Sequence, residues 1–216
     1  YDKNREIVNN LNLGITDIDE PNLVNFLKKG LKSEKFRAYN KMQESDIYFI
    51  CVPTPINKIK KYPNLNFLNQ VIKELKTIIK LSDLVILEST SPIGTTRKFY
   101  QDLMLHCNKK YDCYNGKIYM SYCPERILPG NVIFELSNLD RVIGGVDLKS
   151  SKLAFEIFKK ITKGECFMTS SEVAETVKLS ENSFRDVNIA FANEISNICS
   201  DKNVNFNEVR LLANKH

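Results

Sequence analysis

Histidine is scarce in this chain. His106 and His216 are the only two among 216 residues, which argues against chemistry built on an imidazole and leaves Lys, Asn, Thr and Glu to carry a mechanism. The six cysteines, Cys51, Cys107, Cys113, Cys123, Cys166 and Cys199, show no paired CxxC spacing, and most lie in apolar strand or helix patterns where a free thiol acts as a small hydrophobe. No metal site is expected. No apolar run reaches membrane-spanning length, and no charged-apolar-small leader opens the chain, so the expectation is a soluble, cytoplasmic protein with no membrane partner. Basic blocks and aromatic-basic motifs are also missing, which excludes the usual nucleic-acid modules. The 31 Lys and Arg against 26 Asp and Glu leave a net charge of +5, a mild bias toward anionic ligands. There is no internal repeat and no low-complexity linker.

A composition of 43% hydrophobic and 10% aromatic residues can build a substantial core. Short runs rich in β-branched and aromatic residues occur at 46–52 ("DIYFICV"), 83–88 ("DLVILE"), 117–122, 141–145 and 165–169. Helical periodicity separates them, in "FLNQVIKELKTIIKL" and near 95–106 and 148–160. This alternation predicts an α/β fold with a doubly wound, Rossmann-like, mostly parallel sheet followed by a long helix. Thr169 and Glu172 read as a capping box opening that helix, which is expected to run to about Cys199, with a short helix after it in "NEVRLLANK". The expected division is 1–168 for the sheet domain and 169–216 for the long helix and the start of a helical domain.

In open sheets of this class, ligands bind outside the carboxyl ends of the strands. Three unusual turns fall there: "CVPTP" (51–55), "ESTSP" (88–92) and "YCPERILPG" (122–130). Singly, each is an ordinary proline turn; together they mark a candidate binding edge. On the long helix, Lys178, Asn182 and Arg185 share a face at i, i+4 and i+7. Val177, Phe184, Phe191, Ile195 and Ile198 form an apolar stripe about a quarter turn away, expected to hold the helix in a core. The polar trio then faces either solvent or a ligand cleft.

The blocks "CVPTPI", "LVILESTSPIGTT", "YCPERILPGN", "RVIGG", "GECFMT" and "AETVKLSENSFRDVNIAFANE" resemble, in order and spacing, the UDP-glucose/GDP-mannose dehydrogenase superfamily. The resemblance is closest to its UDP-N-acetyl-D-mannosamine dehydrogenase branch and covers essentially the whole chain. It implies oxidation of UDP-N-acetyl-D-mannosamine to its uronate for surface polysaccharide synthesis. Two NAD+ are used in turn, and the intermediates are held on a cysteine as thiohemiacetal and thioester. On this resemblance Lys178 stabilises developing negative charge, Asn182 is its hydrogen-bonding partner, Thr90 helps position water near the nicotinamide, and Glu125 is an acid-base or water-orienting carboxylate. Asp2, Val52, Pro53, Thr54 and Thr90 are the implied cofactor contacts. Arg126, Ile127, Lys178, Asn182 and Arg185 are the implied substrate contacts, although Arg185 could equally pair with Asp186 or Glu181 and Arg126 could simply be exposed. Cys123 is read as structural. Pro129 stands where the UDP-glucose branch usually carries a second glutamate, which favours the N-acetyl branch over UDP-glucose or another UDP-N-acetylhexosamine. The family also implies a homodimer through the long helix, with cover of the same surface by the family's carboxyl-terminal domain as the alternative, and a truncated subunit that only pairs in this way is the non-enzymatic reading.

A dinucleotide fold carries an acidic residue roughly 20 positions after its glycine-rich turn, and Asp2 fits that residue. The first strand, the GxGxxG loop and most of the first helix are thus expected upstream of Tyr1. The family's nucleophilic cysteine and second nucleotide-binding domain are expected beyond "LANKH". The sheet should show a gap or a rearrangement, and the polypeptide alone should not turn over.

Overall fold

The computed structural model describes residues 1–57, 59, 61–111, 116–127 and 130–216, so that Cys113 and Pro129 lie outside the described residues. Two compact units are present, Tyr1–Thr176 and Val177–His216.

The first unit opens with helices α1 (Arg5–Asn12) and α2 (Leu23–Lys32) and continues β1 (Ile47–Ile50), α3 (Asn66–Ile78), β2 (Leu84–Leu87), α4 (Thr95–Tyr111) and β3 (Tyr119–Tyr122). It then adds α5 (Val132–Asn138), β4 (Arg141–Gly145), α6 (Leu148–Ile161) and β5 (Cys166–Ser170). The five strands lie in the order β1-β2-β3-β4-β5. All five strands anticipated from β-branched and aromatic runs are present. β2 is buried on both faces, and its alternation assigns the layers. Val85 and Leu87 pack with Leu68, Ile72 and Leu75 of α3 and Phe99 and Leu103 of α4, while Leu84 and Ile86 pack with Ala154 and Phe158 of α6. Each aliphatic side chain fully buried in this way contributes about 1.5–3 kcal/mol.

The one departure from parallel pairing sits at β3–β4. β1, β2 and β3 are parallel, with Ile50, Leu87 and Tyr122 in register, but β4 is antiparallel to β3 and β5 runs parallel to β4. The reason is local. The chain leaving Tyr122 forms α5 and re-enters the sheet at Arg141 from the edge it left, and reversing the strand direction is the only way to pair from that edge.

α6 packs over β2 to β5, leaving Ile47 and Phe49 of β1 exposed. Phe49 makes an edge-to-face pair with Phe158, with ring centroids 6.0 Å apart. Along β1, the edge strand, runs a cleft of about 820 Å3, while the five described strands pair with one another without interruption, so no gap opens between them.

Three helices escaped the sequence reading: α1, α2 and α5, of 8, 10 and 7 residues. The proposed capping box is corrected. Helix α7 runs from Ser171 to Asp201, and Thr169 is still inside β5, opposite Gly144. The side chain that caps is Ser170, whose Oγ accepts the Val173 N–H at 3.3 Å. Glu172 pairs instead with Arg97 of α4, Nε to Oε1 at 2.5 Å and Nη2 to Oε2 at 3.2 Å. Close packing adds to this anchor, because a Cβ on Gly144 would fall 2.6 Å from that of Ala174.

The second unit holds the rest of α7 and α8 (Phe206–Ala213), whose N-cap Asn205 accepts the Asn207 and Glu208 amides. The expected core role of the apolar stripe is corrected here. Phe184 and Phe191 are 74% and 65% exposed, and Ile198 is exposed as well. Only the short α8 accompanies this stretch of α7 within the unit, and it is too small to cover the stripe. Among the described residues no helix is long and apolar enough to cross a membrane.

The Arg97 guanidinium holds the Glu172 carboxyl at about 2, below its ordinary 4.5. A depressed carboxyl pKa stabilises the fold above the unfolded value, and the effect is lost as pH falls through the folded one. The melting-temperature gap between the chain and Glu172→Gln should therefore hold above about pH 4.5 and close as pH approaches about 2. A gap constant across that window would show that the pair does not supply it. Both side chains are partly exposed, so the gap should also shrink with salt.

Candidate active site

The parallel register of β1, β2 and β3 brings their carboxyl ends to one edge, where the three anticipated turns meet. Ser89 joins the first two. Its hydroxyl donates to Val52 O at 2.7 Å and lies 3.2 Å from Ile50 O, which fixes the neighbouring Thr90, half-buried, beside the "CVPTP" turn. The rest of the second turn is held from α7. Glu175 is fully buried, and its carboxylate accepts the Gly94 N–H at 2.6 Å, the Thr96 N–H at 2.8 Å and the Thr96 hydroxyl at 2.7 Å. The first amides of α4 lack intrahelical partners, and a negative charge there is favoured by the helix dipole.

The third turn carries Glu125. Its Oε1 accepts the Arg126 and Ile127 amides at 2.6 and 3.0 Å, and its Oε2 meets Arg141 Nη1 at 3.3 Å. Arg141 reaches it because β4 is reversed, which puts the strand's amino end at the carboxyl edge of β3. It is only 2% exposed, lies 5.6 Å above the Phe158 ring and donates to Leu136 O at 3.4 Å. A buried guanidinium needs an anion, and Glu125 supplies one. On the same face, Cys51 Sγ donates to Glu88 Oε2 at 3.0 Å. Burial raises the Glu88 carboxyl, the Glu125 charge adds to this, and the thiol and Arg141 oppose it. Cys51 reaches the surface, yet the protein atoms crowded around its thiol, first, and the Glu88 charge, second, push that thiol up. Cys123 is buried and shifted the same way, again mainly by burial.

Of the anticipated cofactor contacts, Asp2, Val52 and Pro53 line the cleft beside β1; Thr54 and Thr90 lie outside its lining. Asp2 Oδ1 accepts the Asn4 N–H at 2.8 Å, and the Asp2 amide donates to Tyr39 O at 3.1 Å. Arg126 and Ile127 are half-buried in the third turn, with Arg126 Nη1 3.4 Å from Asp140 O. Lys178 and Asn182, half-buried, and Arg185, exposed, lie on α7 in the second unit, whereas Thr90 and Glu125 belong to the first.

The sequence reading missed Glu175, Arg141, Glu88 and Glu20. Glu175 was accessible by extending the Lys178 stripe one turn backward, since Ser171, Ala174, Glu175 and Lys178 follow helical spacing and the first three are fully buried. Arg141 opening an apolar strand and Glu88 closing one were signals of the same kind. Nothing local marks Glu20, whose partners are more than a hundred residues away.

A family model described as the UDP-glucose/GDP-mannose dehydrogenase family, NAD binding domain, matches residues 1–162, and the central domain of that family matches residues 172–216. The chain belongs to the UDP-glucose/GDP-mannose dehydrogenase family. It is 42% identical to the UDP-N-acetyl-D-mannosamine dehydrogenase of Yersinia pestis, covering 100% of this chain and 52% of that protein. The corresponding enzyme of Methanococcus maripaludis is 37% identical, with 100% and 48% covered. The solved UDP-D-ManNAc dehydrogenase of Pyrococcus horikoshii superposes with a TM-score of 0.92 at 36% identity, covering 100% of this chain and 51% of that one. The chain spans about half the length of the curated relatives it matches.

Alkylation tests the electrostatics of this edge. Only the thiolate reacts, so Cys51, although exposed, should be alkylated by iodoacetamide at pH 8 at least about tenfold more slowly than a free small thiol. Glu88→Gln should speed the reaction by removing the adjacent charge. Equal rates for Cys51 and the free thiol would contradict the arrangement.

Proposed function

We propose that this chain is the cofactor-binding and central-helix portion of a cytoplasmic NAD-dependent UDP-N-acetyl-D-mannosamine dehydrogenase. The observation that carries the reading is the common edge set by Ile50, Leu87 and Tyr122. Turns bearing Val52, Thr90 and Glu125 converge there beside a cleft that Asp2, Val52 and Pro53 also line. The relatives support the choice of sugar.

The donor set fits a dinucleotide. Asp2 offers a carboxylate to ribose hydroxyls, and Val52 and Pro53 offer an apolar wall. When bound, NAD+ supplies the hydride acceptor. Converting a primary alcohol to a carboxylate removes two hydrides and consumes one water, so the protein must both accept protons and orient that water. Glu125 suits the second task. Its carboxylate is fixed by two amides and a guanidinium, which gives its oxygens a set direction for orienting a water. Thr90 is placed to share in this positioning, and Arg126 and Ile127 to contact the sugar nucleotide. Lys178 and Asn182 supply a cation and an amide for the oxygen that gains negative charge, and Arg185 a contact to the substrate. A homodimer through α7 would cover the exposed Phe184, Val187 and Phe191.

In the full product of the coding region, Lys178→Ala should lower kcat by about a hundredfold, as loss of a preorganised charge partner does. NAD+ affinity should stay within about twofold. Steady-state kinetics with a separate NAD+ titration measures both, and an unchanged kcat would remove Lys178 from the reaction.

A further inference from the structure

The loop that leaves β3 with Glu125, Arg126 and Ile127 is clamped at its near end by the Glu125 contacts and re-enters regular structure at α5. The N-cap position of α5 is Asn131, but its side chain makes no capping bond. The cap comes from elsewhere. Glu20, in the connection between α1 and α2, reaches across the unit so that Oε2 accepts the Gly130 N–H at 3.0 Å and Oε1 accepts the Val132 N–H at 2.5 Å. Glutamate is among the side chains least often buried, yet Glu20 is 8% exposed. Its own backbone is tied into a turn, the N–H to Ile18 O and the carbonyl to the Leu23 N–H, with Pro21 next in sequence. The carboxylate is thus presented from a rigid support, and its two amides flank Asn131. Gly130 sits at φ +98, a conformation only glycine adopts without strain.

We propose that Glu20 is a positioning residue for the substrate loop, locking its far end by capping α5 from the α1–α2 connection. For its effect on substrate the inference rests on the function proposed above, while its effect on the loop does not. A carboxylate accepting two main-chain amides beside a helix N-terminus makes charge-assisted hydrogen bonds. Replacing it by an amide sets an NH2 against one of those amides and releases the far end, with the near-end clamp of Glu125 and Arg141 still in place. The consequence should stay in the loop.

The Arg126–Ile127 peptide bond lies in that loop and is a trypsin site, so local opening can be read by mass spectrometry on the 216-residue chain. Glu20→Gln should raise the rate of cleavage there by about tenfold, as expected for the loss of a hydrogen bond to a charged group. Hydrogen exchange of the β2 amides should stay within about twofold. Glu20→Asp, a methylene shorter, should fall between the two. Equal cleavage in wild type and Glu20→Gln would overturn the proposal, and so would exchange in β2 rising as much as cleavage in the loop. In the full product of the coding region, Glu20→Gln should raise KM for UDP-N-acetyl-D-mannosamine by about fivefold or more and leave kcat and the KM for NAD+ within about twofold. Faster cleavage with an unchanged sugar-nucleotide KM would overturn the link to substrate. A wild-type enzyme that oxidises no UDP-sugar would overturn the proposed function, with the cleavage result still deciding the role of Glu20.

Discussion

Glu175 places a carboxyl group where an unpartnered polar group would be severely unfavourable. It is fully buried, and what makes it tolerable is three hydrogen bonds from Gly94 and Thr96, groups that begin α4 and would otherwise have no partners. Each side solves the other's problem. The consequence extends beyond α4, because the turn that ends in Gly94 begins with Ser89 and Thr90, and Ser89 in turn ties β2 to the turn after β1. The first residues of α7, the start of α4 and the carboxyl edge of the sheet are therefore positioned together. Arg97 with Glu172 and Ala174 against Gly144 reinforce the same junction. Removing its carboxylate would leave the Gly94 and Thr96 donors without this partner, at about 1–3 kcal/mol for each that stays buried and unsatisfied, which makes Glu175 a residue on which the edge depends.

The reversal of β4 is the second constraint. A wholly parallel sheet would place the start of β4 at the opposite edge, far from the turn after β3. Reversal puts Arg141 beside Glu125, and burial under Phe158 gives that guanidinium little choice of partner. The resulting group of Glu88, Glu125, Arg141 and Cys51 sits on the α6 face, and for Glu88 and Cys51 within it the surrounding protein shifts the group more than any single neighbour does. Glu125 gains a defined orientation from this group, which is what orienting a water requires.

Much of this was legible in the residues. β2 reads from "DLVILE" because a central strand buried on both faces is a continuous apolar run, and the three proline-containing turns mark the edge because strand ends must lie somewhere and these fall at equivalent places. What could not be read depends on partners distant in sequence. Thr169 looked like a cap because Glu172 follows at the right spacing, but pairing of β5 with β4 extends the strand through Ser170 and Arg97 captures Glu172. The Phe184 and Phe191 stripe was expected to be covered; its periodicity was correct, but periodicity does not say whether the covering surface lies in the same chain. Glu20 sits in a polar turn, and only the fold brings α5 to it. The motif carrying Lys178, Asn182 and Arg185 was readable as one helix face, and α7 does carry all three on a single continuous helix.

The four-electron oxidation proposed above has a stoichiometric signature. Product analysis of the full product of the coding region, with NADH counted against UDP-N-acetyl-D-mannosamine consumed, tests it directly. The account predicts two NADH for each sugar nucleotide and a uronate as the only product. One NADH for each sugar with an aldehyde released, or no oxidation of this substrate, would contradict it.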